Sequence, residues 1–333
     1  MQILLESRVF YPSVGGMETV ARQLAEAWTR KGHTVQVVTQ TPLGEAPPLT
    51  DLPVHRQPSL REWVWLLSEA NLFVQSGISL KTLPLGWFTQ TPMVVIHHNM
   101  FPLEQTTVGF RNGIKRLAAR LVPNIAVSTA VANDLPDART TVICNPFEPH
   151  FSASEENVEA HRLLFVGRLV SVKGVDVALR ALAHLDPRYT LDICGEGPER
   201  ETLELLVQQL GIESRVTFHG WVDHQALAPL AQKASIQLVP SRYEPFGIVA
   251  LEGIAAGCAI VAAETGGLPE AMGPCGVLVP PDDPEALANS IREATAQRKE
   301  LLAHREEHLA QFQIDTIADR YLEVFERVVE GTL

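Results

Sequence analysis

The chain has 333 residues, more than one hydrophobic core usually organises, so its length predicts two domains. Its 46% hydrophobic and 20% charged residues are typical of a soluble globular protein, and no apolar run approaches the ~20 residues of a membrane-spanning helix. The net charge of −12 is uneven, because residues 1–150 carry +1 and the remainder −13. An acidic second half argues against nucleic acid as the main partner.

The cysteine pattern and the first residues of the chain predict the cellular compartment of the protein. The four cysteines are widely spaced and form no C-x-x-C pair, which favours a reducing compartment and argues against a structural zinc site. The first five residues lack a basic leader and a small-residue cleavage site, so they are predicted to form a strand and not a signal peptide. The sequence therefore predicts a cytoplasmic location.

The first elements form a parallel βαβ unit. A strand is predicted over Ile3–Leu5, an amphipathic helix over Glu18–Arg30, and a second strand over Val35–Thr39. In the loop before the helix, Gly15 and Gly16 allow the backbone to approach a ligand closely at a helix start. An ordinary tight turn between strand and helix is the alternative.

Two histidines follow a later strand. Strands are predicted over Asn71–Gln75 and Met93–Ile96, and the second leads directly into His97 and His98. Histidine at the carboxyl end of a strand is well placed to form polar contacts with a bound ligand. A metal ligand or a satisfied loop residue are the alternatives. The last strands of this half are predicted over Ile125–Val127 and Val142–Cys144.

A basic amphipathic helix is predicted over Phe110–Leu121. Its apolar residues recur at helical spacing, while four cations occupy other faces: Arg111, Lys115, Arg116 and Arg120. Two interpretations remain open. Either the apolar side packs on the core, as in an ordinary surface helix, or the helix faces anionic lipid or an anionic acceptor.

The polar, turn-rich stretch 148–160 is the predicted linker. It places an amino-terminal Rossmann-like domain over 1–150 and a carboxyl-terminal one over 151–312. The second half repeats the pattern, with strands predicted over 163–166, 191–194, 216–218, 236–239 and 259–262 and helices over 175–183, 284–306 and 312–330.

Two loops of the second half carry binding chemistry. After the strand 163–166, Arg168 and Lys173 bracket a loop that precedes a helix. Diphosphate requires fixed cations and N–H donors at such a turn, although exposed basic loop residues are common. Gly195 begins a Gly-x-Gly turn that lacks the third glycine of a dinucleotide fingerprint and is weak evidence for NAD.

Two glutamates flank a third loop. Glu244 lies between a buried strand and the apolar helical pattern that begins at Phe246, and Glu252 lies about two turns into that helix. Gly247 and Ile248 offer unpaired N–H groups at the helix start, where anions bind. Two carboxylates with anion-binding amides between them suit a ligand that carries both hydroxyls and phosphate.

These loops resemble a known family. Glu244-Pro245-Phe246-Gly247 with Glu252, the pair Gly167-Arg168 and Lys173-Gly174, and the loop Gly266–Glu270 are similar to motifs of the retaining glycosyltransferases of family four. The resemblance spans nearly the whole chain. It implies the GT-B fold, an α/β architecture in which two Rossmann-like domains with parallel sheets face a central cleft, and a final helix, 313–333, that crosses back to the first domain.

The resemblance also implies roles for individual residues. Arg168 and Lys173 would bind the donor diphosphate and stabilise the charge that grows on it. Glu252 would accept hydrogen bonds from the ribose, and Glu244 from the donor sugar. Further donor or acceptor contacts are implied for Gly15, Gly16, Gly195, Phe246, Gly247 and Ile248. His98 would lie beside the donor sugar, with His97 as the alternative register.

The predicted function is therefore transfer of a sugar, with retention, from a UDP- or GDP-sugar to a hydroxyl of a small-molecule, glycan or lipid-linked acceptor. The nucleotide-sugar is a substrate, and no cofactor is expected. The chain has no Asp-x-Asp, the usual metal-diphosphate anchor of the other large glycosyltransferase fold, so catalysis without metal is predicted. The alternatives are a sugar-nucleotide epimerase or phosphorylase on the same fold and a catalytically silent nucleotide-binding module.

Overall fold

A computed structural model describes residues 1–13, 15–101, 107–135, 138–147, 153 and 158–333, with backbone only at 107, 108 and 224. These residues divide into two compact units, 1–146 together with 312–333, and 147–311. The predicted linker, 148–160, lies largely outside the described residues. The domain limits predicted from the sequence lie at residues 150 and 312, and they stay a prediction.

The first unit is built on a parallel sheet in which the described residues form seven strands, in the order β3-β2-β1-β4-β5-β6-β7. The strands are β1 Gln2–Ser7, β2 Thr34–Thr39, β3 Val54–Arg56, β4 Leu72–Ser76, β5 Met93–His97, β6 Asn124–Ala126 and β7 Thr140–Val142. The central strands are apolar on both faces because helices cover both sides of a parallel sheet. The chain that leaves β1 continues to β2, towards one edge of the sheet, and the chain that leaves β4 continues to β5, towards the other edge. The carboxyl ends of β1 and β4 therefore mark a topological switch point.

Helices cover this sheet. They are α1 Gly16–Arg30, α2 Leu60–Glu69, α3 Leu83–Thr89, α4 Thr107–Ala119, α5 Thr129–Asn133 and, from the end of the chain, α13 Ile314–Val329. The fully buried Trp28 of α1 meets Phe325 of α13 at a ring-centroid distance of 5.0 Å. Lys31 Nζ lies 2.7 Å from Asp319 Oδ1. The final helix thus packs on α1 through aromatic contact and an ion pair at its edge.

The second unit repeats the architecture with six parallel strands in its described part, ordered β10-β9-β8-β11-β12-β13. The strands are β8 Glu159–Val166, β9 Thr190–Cys194, β10 Val216–Gly220, β11 Ala234–Val239, β12 Ala259–Ala263 and β13 Gly276–Val279. The helices are α6 Val175–Ala183, α7 Arg200–Leu210, α8 His224–Lys233, α9 Ile248–Ala256, α10 Leu268–Met272, α11 Pro284–Leu301 and α12 Arg305–Ala310. Here the switch point lies between β8 and β11.

The helix predicted over 284–306 is confirmed up to Leu301 and is wrong as one continuous helix beyond it. The chain leaves the helical path after Leu301 and starts α12 at Arg305, although neither glycine nor proline interrupts it. The break lets His308 turn inward, where its Nε2 lies 2.8 Å from the carbonyl oxygen of Ala271. Tertiary packing therefore overrides a continuous helical pattern. None of the described helices combines the length and apolarity that crossing a membrane requires.

Candidate active site

Lys173 and Glu244 are direct partners at the switch point of the second unit. Lys173 lies in the loop after β8, Glu244 in the loop after β11, and Lys173 Nζ is 2.6 Å from Glu244 Oε2. Glu244 is 9% exposed, so the cation compensates the cost of burying its carboxylate. The sequence predicts both residues as donor-binding groups but does not indicate that they touch.

Glycines allow the loops around this ion pair to converge. Gly174 has φ +67°, and a Cβ there would lie 2.0 Å from the carbonyl oxygen of Pro240. Gly266 has φ +54°, and its Cβ would lie 1.8 Å from the oxygen of Glu244. The N–H of Gly267 donates to that same oxygen at 3.0 Å. Because a side chain at Gly174 or Gly266 would push the backbones apart, these glycines fix where Glu244 lies.

Arg242 clamps the same loops from the outside. Its guanidinium binds Asp176 of α6 in a two-pronged ion pair, at 2.9 and 2.8 Å. Its Nε donates to Asp282 at 2.5 Å, and its backbone N–H donates to the oxygen of Val172 at 2.8 Å. Arg242 therefore ties the Glu244 loop to the Lys173 loop. Sequence reasoning missed this role, since nothing in the local pattern links residue 242 to residue 176.

The loop of Glu244 runs straight into α9. Gly247 precedes the helix with φ +104°, and a Cβ there would lie 2.6 Å from Leu268 Cδ2. Ile248 opens the helix, whose first N–H groups have no carbonyl partner within it. The side chain of Phe246 is buried at 2% exposure, so only its backbone could meet a ligand. The geometry thus offers an anion site made of backbone amides.

Glu252 lies in the second turn of α9 and is partly buried. Burial raises its pKa to about 7. No hydrogen bond or ion pair reaches its carboxylate from the described residues, unlike Glu244. A desolvated carboxylate without donors is suited to accept hydrogen bonds from ligand hydroxyls.

Arg168 and Gly195 lie in the loops after β8 and β9. Arg168 is exposed, and no ion pair joins it to another described residue. Gly195 has φ +151°, and a Cβ there would lie 1.8 Å from the oxygen of Gly167. The Gly195 turn thus packs against the turn that carries Arg168.

The first unit has a pocket of its own, of about 880 Å³, at its switch point. Residues from the carboxyl ends of β1, β4 and β5 line it together with residues of α2, α3 and α4. The polar and charged side chains in the lining include Glu6, Arg8, Ser76, Ser79, Lys81, Thr82, His97, His98, Asn99, Arg111 and Lys115. Val9, Trp63, Ile78 and Phe101 are among the apolar ones.

The two histidines of this pocket have different contacts. His97 Nε2 lies 2.8 Å from Asn124 Oδ1, and Asn124 in turn donates to the carbonyl oxygens of Ala119 and Val122. His98, just past the end of β5, has its Nε2 3.0 Å from Ser76 Oγ. Burial lowers the pKa of each histidine to about 4, so both are neutral at pH 7. His97 therefore belongs to a hydrogen-bond network that braces the sheet, whereas His98 pairs with a side chain of the pocket lining.

Glu6 is a pocket residue that sequence reasoning missed. Its Oε2 accepts hydrogen bonds from Thr82 Oγ1 at 2.5 Å and Gln75 Nε2 at 2.9 Å. Burial raises its pKa to about 7, although these bonds and one from Ser79 oppose the shift. An acidic residue in the apolar strand β1 was the available signal, because a carboxylate there is costly unless it has a task.

Comparison with known proteins identifies the chain. Residues 146–309 match the family described as Glycosyl transferases group 1, and residues 14–151 match Glycosyltransferase Family 4. The chain belongs to this glycosyltransferase family. Both the predicted family and the predicted enzyme class are confirmed.

Relatives of this glycosyltransferase match along its whole length. Glycogen synthase of Mycobacterium tuberculosis is 28% identical over 397 residues, which cover 98% of this chain and 94% of the relative. Sucrose-phosphate synthase from Thermosynechococcus elongatus is 24% identical with a TM-score of 0.81, covering 99% of each chain. The Anabaena protein HepE, solved in complex with UDP, is 22% identical with a TM-score of 0.81, covering 98% of this chain and all of that one. With the two parallel sheets, these likenesses confirm the GT-B fold.

The two predicted glycines of the glycosyltransferase lie at the start of α1. Gly15 is the residue before the helix, with extended backbone and no side-chain cap for the first N–H groups. A Cβ at Gly16 would meet nothing within 4 Å. Residue 14 of this loop lies outside the described residues. The Glu18 carboxylate lies at this helix start, where a Cβ on Gly15 would come within 2.4 Å of its Oε2, and the role of the two glycines stays a prediction.

The interpretation that α4 packs its apolar side on the core is wrong. Phe110, Leu117 and Leu121 are 73%, 61% and 60% exposed, and Ile114 is 40% exposed. The buried side chains of this segment are smaller, such as Ala118 and Ala119. Sequence periodicity locates an apolar face but not the direction it points, and here the small residues Ala118 and Ala119 lie in the core while the large apolar residues face outward.

The four cations of this segment do not act together either. Arg116 forms an ion pair with Asp134. Arg111 and Lys115 line the pocket, and Lys115 Nζ lies 5.4 Å from the ring centroid of Phe101. The hypothesis that all four face a lipid surface is therefore corrected for three of them.

Proposed function

We propose that this glycosyltransferase binds a nucleotide-sugar, a UDP- or GDP-sugar, in its second unit and transfers the sugar with retention, and without a metal, to a hydroxyl of an acceptor held by its first unit. The observation that carries the proposal is the convergence at the β8/β11 switch point. Two cations and the carboxylate of Glu244 lie in the loops there, and the uncapped start of α9 follows directly, with the carboxylate of Glu252 in the second turn of that helix. HepE, a protein of the same fold, is known in complex with UDP and with UDP-glucose, which supports this class of donor.

Each part of the donor has a matching group. The diphosphate would bind Arg168, Lys173 and the N–H groups of α9, which together supply positive charge. Glu252, which lacks donors among the described residues, would accept hydrogen bonds from the ribose hydroxyls. Glu244 would bind hydroxyls of the sugar while Lys173 holds it in position.

The cations would make the main contribution to catalysis. The bond from the anomeric carbon to the diphosphate oxygen breaks, the acceptor oxygen bonds to that carbon on the same face, and the acceptor proton passes to the leaving phosphate. Negative charge grows on the diphosphate as this happens, and preorganised cations stabilise it without reorganisation. Arg168 and Lys173 can supply that stabilisation, which supports a reaction that needs no metal.

The acceptor would occupy the pocket of the first unit. His98 is neutral and lies just past β5, so it can exchange a hydrogen bond with a hydroxyl without adding charge. A glycan, a small polyol or the head of a lipid-linked acceptor would each suit a pocket that combines apolar walls with polar groups.

We also propose that α4 brings the enzyme to a membrane surface. Four large apolar side chains in α4 and just after it are exposed beside the exposed Arg120, which is the pattern of a helix that lies in a lipid interface. Burying one such side chain contributes about 1.5–3 kcal/mol, whereas one basic residue near anionic lipid contributes about 1 kcal/mol. Apolar insertion would therefore dominate over charge.

Thermal stabilisation by UDP-, GDP- and ADP-sugars tests the donor assignment. A ligand at 100 times its dissociation constant adds about 2.7 kcal/mol to the free energy of unfolding. We expect one of the UDP- or GDP-sugars to stabilise the protein and to lose its sugar to added acceptors, or slowly to water. Interconversion of the sugar nucleotide alone would indicate an epimerase, and binding without any turnover a silent module.

A further inference from the structure

The pocket of the first unit contains a cluster of cations that forms no ion pair with an acidic residue in the described part of the chain. Arg111 and Lys115 are four residues apart on α4, so they share one face of the helix, and Arg8 follows β1 across the pocket. No ion pair joins any of the three to another described residue. Glu6 is the only carboxylate among the described residues of the lining, and its own carboxylate is held by Thr82 and Gln75.

Like charges held together without a counter-charge raise the free energy of the protein. Lys115 shows the effect: burial lowers its pKa, and the nearby charges of Arg111 and Arg8 lower it further. Clusters of this kind occur at functional sites more often than at random, because a ligand supplies the missing charge.

We propose that Arg8, Arg111 and Lys115 form a phosphate subsite of the acceptor pocket, so that the acceptor is a phosphate ester of a polyol. Two arginines with a lysine match a group that carries between one and two negative charges and several acceptor oxygens. Hydroxyls of the same molecule would meet Glu6 and His98, which accept hydrogen bonds, and His98 adds no charge at pH 7. The inference rests on the proposed function only in calling the ligand the acceptor.

The subsite can be tested apart from donor binding. The Arg168→Ala/Lys173→Ala protein lacks both cations of the proposed diphosphate site, which leaves only the amides of α9 there, so phosphate binding that depends on Arg111 and Lys115 in this protein is assigned to the first unit. We expect phosphorus NMR titration to show that inorganic phosphate and glucose 6-phosphate bind this protein. Glucose, measured in the same titration by its displacement of glucose 6-phosphate, should bind at least about 10-fold more weakly.

Adding Arg111→Gln/Lys115→Gln to that background should weaken glucose 6-phosphate binding by about 10-fold to 100-fold. The same change should raise the Tm of the protein, because it removes mutually repelling charges, so loss of binding cannot be assigned to misfolding. Arg120→Gln, on the same segment but outside the pocket lining, is the matched control and should leave binding unchanged.

Two results would overturn the proposal. One is no binding of either phosphate probe to the Arg168→Ala/Lys173→Ala protein, and the other is equal binding before and after Arg111→Gln/Lys115→Gln. Failure of the proposed function gives a different result, since no sugar nucleotide would then stabilise the wild-type enzyme while the phosphate titration stayed positive.

The source of the phosphate is decided by a second arm. Vesicles of phosphatidylglycerol in phosphatidylcholine are compared with soluble glucose 6-phosphate as competitors for the subsite. Competition by the vesicles, lost in Arg111→Gln/Lys115→Gln, identifies a lipid headgroup. Competition by glucose 6-phosphate alone identifies a soluble phosphorylated acceptor.

Discussion

Arg168 and Lys173 carry the same charge in very different surroundings. Arg168 is exposed, and the described residues give it no ion pair, whereas Lys173 neutralises the buried carboxylate of Glu244. Both are proposed to stabilise the departing diphosphate, but only Lys173 also stabilises the fold. Their substitutions should therefore separate catalysis from stability.

We expect Arg168→Ala to lower the rate constant of transfer by about 10²-fold with an unchanged Tm, because it removes only transition-state stabilisation. Lys173→Ala should lower the rate constant at least as much and should also lower the Tm, since an unpaired buried carboxylate is left behind. Steady-state kinetics with the donor identified by the stabilisation screen, together with calorimetric melting, provide both readouts. Activity within threefold of wild type for both variants would contradict the assignment.

Glu252 illustrates a conflict between function and stability. Its pKa is about 7 in the folded protein, above the ~4.3 of an unfolded glutamate, so the folded state binds the extra proton between these values. The stabilisation of the folded state that comes from this raised pKa is thus present in full below about pH 4.3 and is lost as the pH rises through about 7.

Glu252→Gln keeps the shape of the protonated residue and cannot ionise. The free energy of unfolding of this variant should equal that of wild type near pH 4.5 and exceed it by about 3 kcal/mol above pH 7. Denaturant unfolding from pH 4.5 to 8 measures the difference, and Glu6 contributes equally to both proteins. Calorimetry with the nucleoside diphosphate should show binding weakened by roughly 1–3 kcal/mol. A constant stability difference across the pH range would argue against a raised pKa at Glu252.

At the scale of elements, the loops after β8 and β11 behave as one unit because Arg242 joins them. The guanidinium is bound by Asp176 and Asp282 on two other segments. These ion pairs fix the loop of Glu244 relative to α6. Arg242 is proposed as a positioning residue, since it is occupied by protein carboxylates.

Arg242→Gln should lower kcat/KM for the donor by about 10-fold, with Arg242→Lys recovering part of the loss. Asp176→Asn should have a similar effect, and the double variant should lose little more than either single one, because coupled partners are not additive. Arg180→Gln, on the exposed face of α6, serves as the control and should keep full activity. Additive losses would show that the two side chains act independently.

The exposed apolar stripe of α4 leads to a prediction about membranes. Phe110→Ser/Leu117→Ser should abolish co-sedimentation with anionic vesicles, because it removes the two most exposed apolar side chains of the helix. Leu205→Ser in α7 changes a side chain of similar exposure in the second unit and should not affect vesicle binding. Binding that disappears at high salt in the wild type would assign the attachment to charge alone.

For the whole molecule, the charge that stabilises the leaving diphosphate is proposed to come from side chains. Transfer should therefore persist in EDTA at a rate close to that without chelator. Measuring initial rates with and without chelator, and with added magnesium or manganese, checks this. Loss of activity on chelation that either ion restores would show that a metal shares the diphosphate site.

The sequence alone predicts the features that depend on neighbouring residues. Alternation of apolar strands and amphipathic helices predicts two α/β halves, and glycines at strand ends predict close backbone turns. The paired glutamates and the Arg168–Lys173 loop are also readable locally, because each lies between a strand and a helix whose patterns are clear. What these residues bind stays a prediction.

The tertiary structure alone decides which distant side chains meet and which faces are covered. Glu6 and Gln75 are 69 residues apart and pair because parallel register aligns β1 with β4. Lys173 reaches Glu244 across 71 residues, through the convergence of loops at a switch point. The α4 stripe faces outward because small residues, Ala118 and Ala119, occupy the core side of that segment. These outcomes arise from long-range register and packing, which a local pattern of residues does not encode.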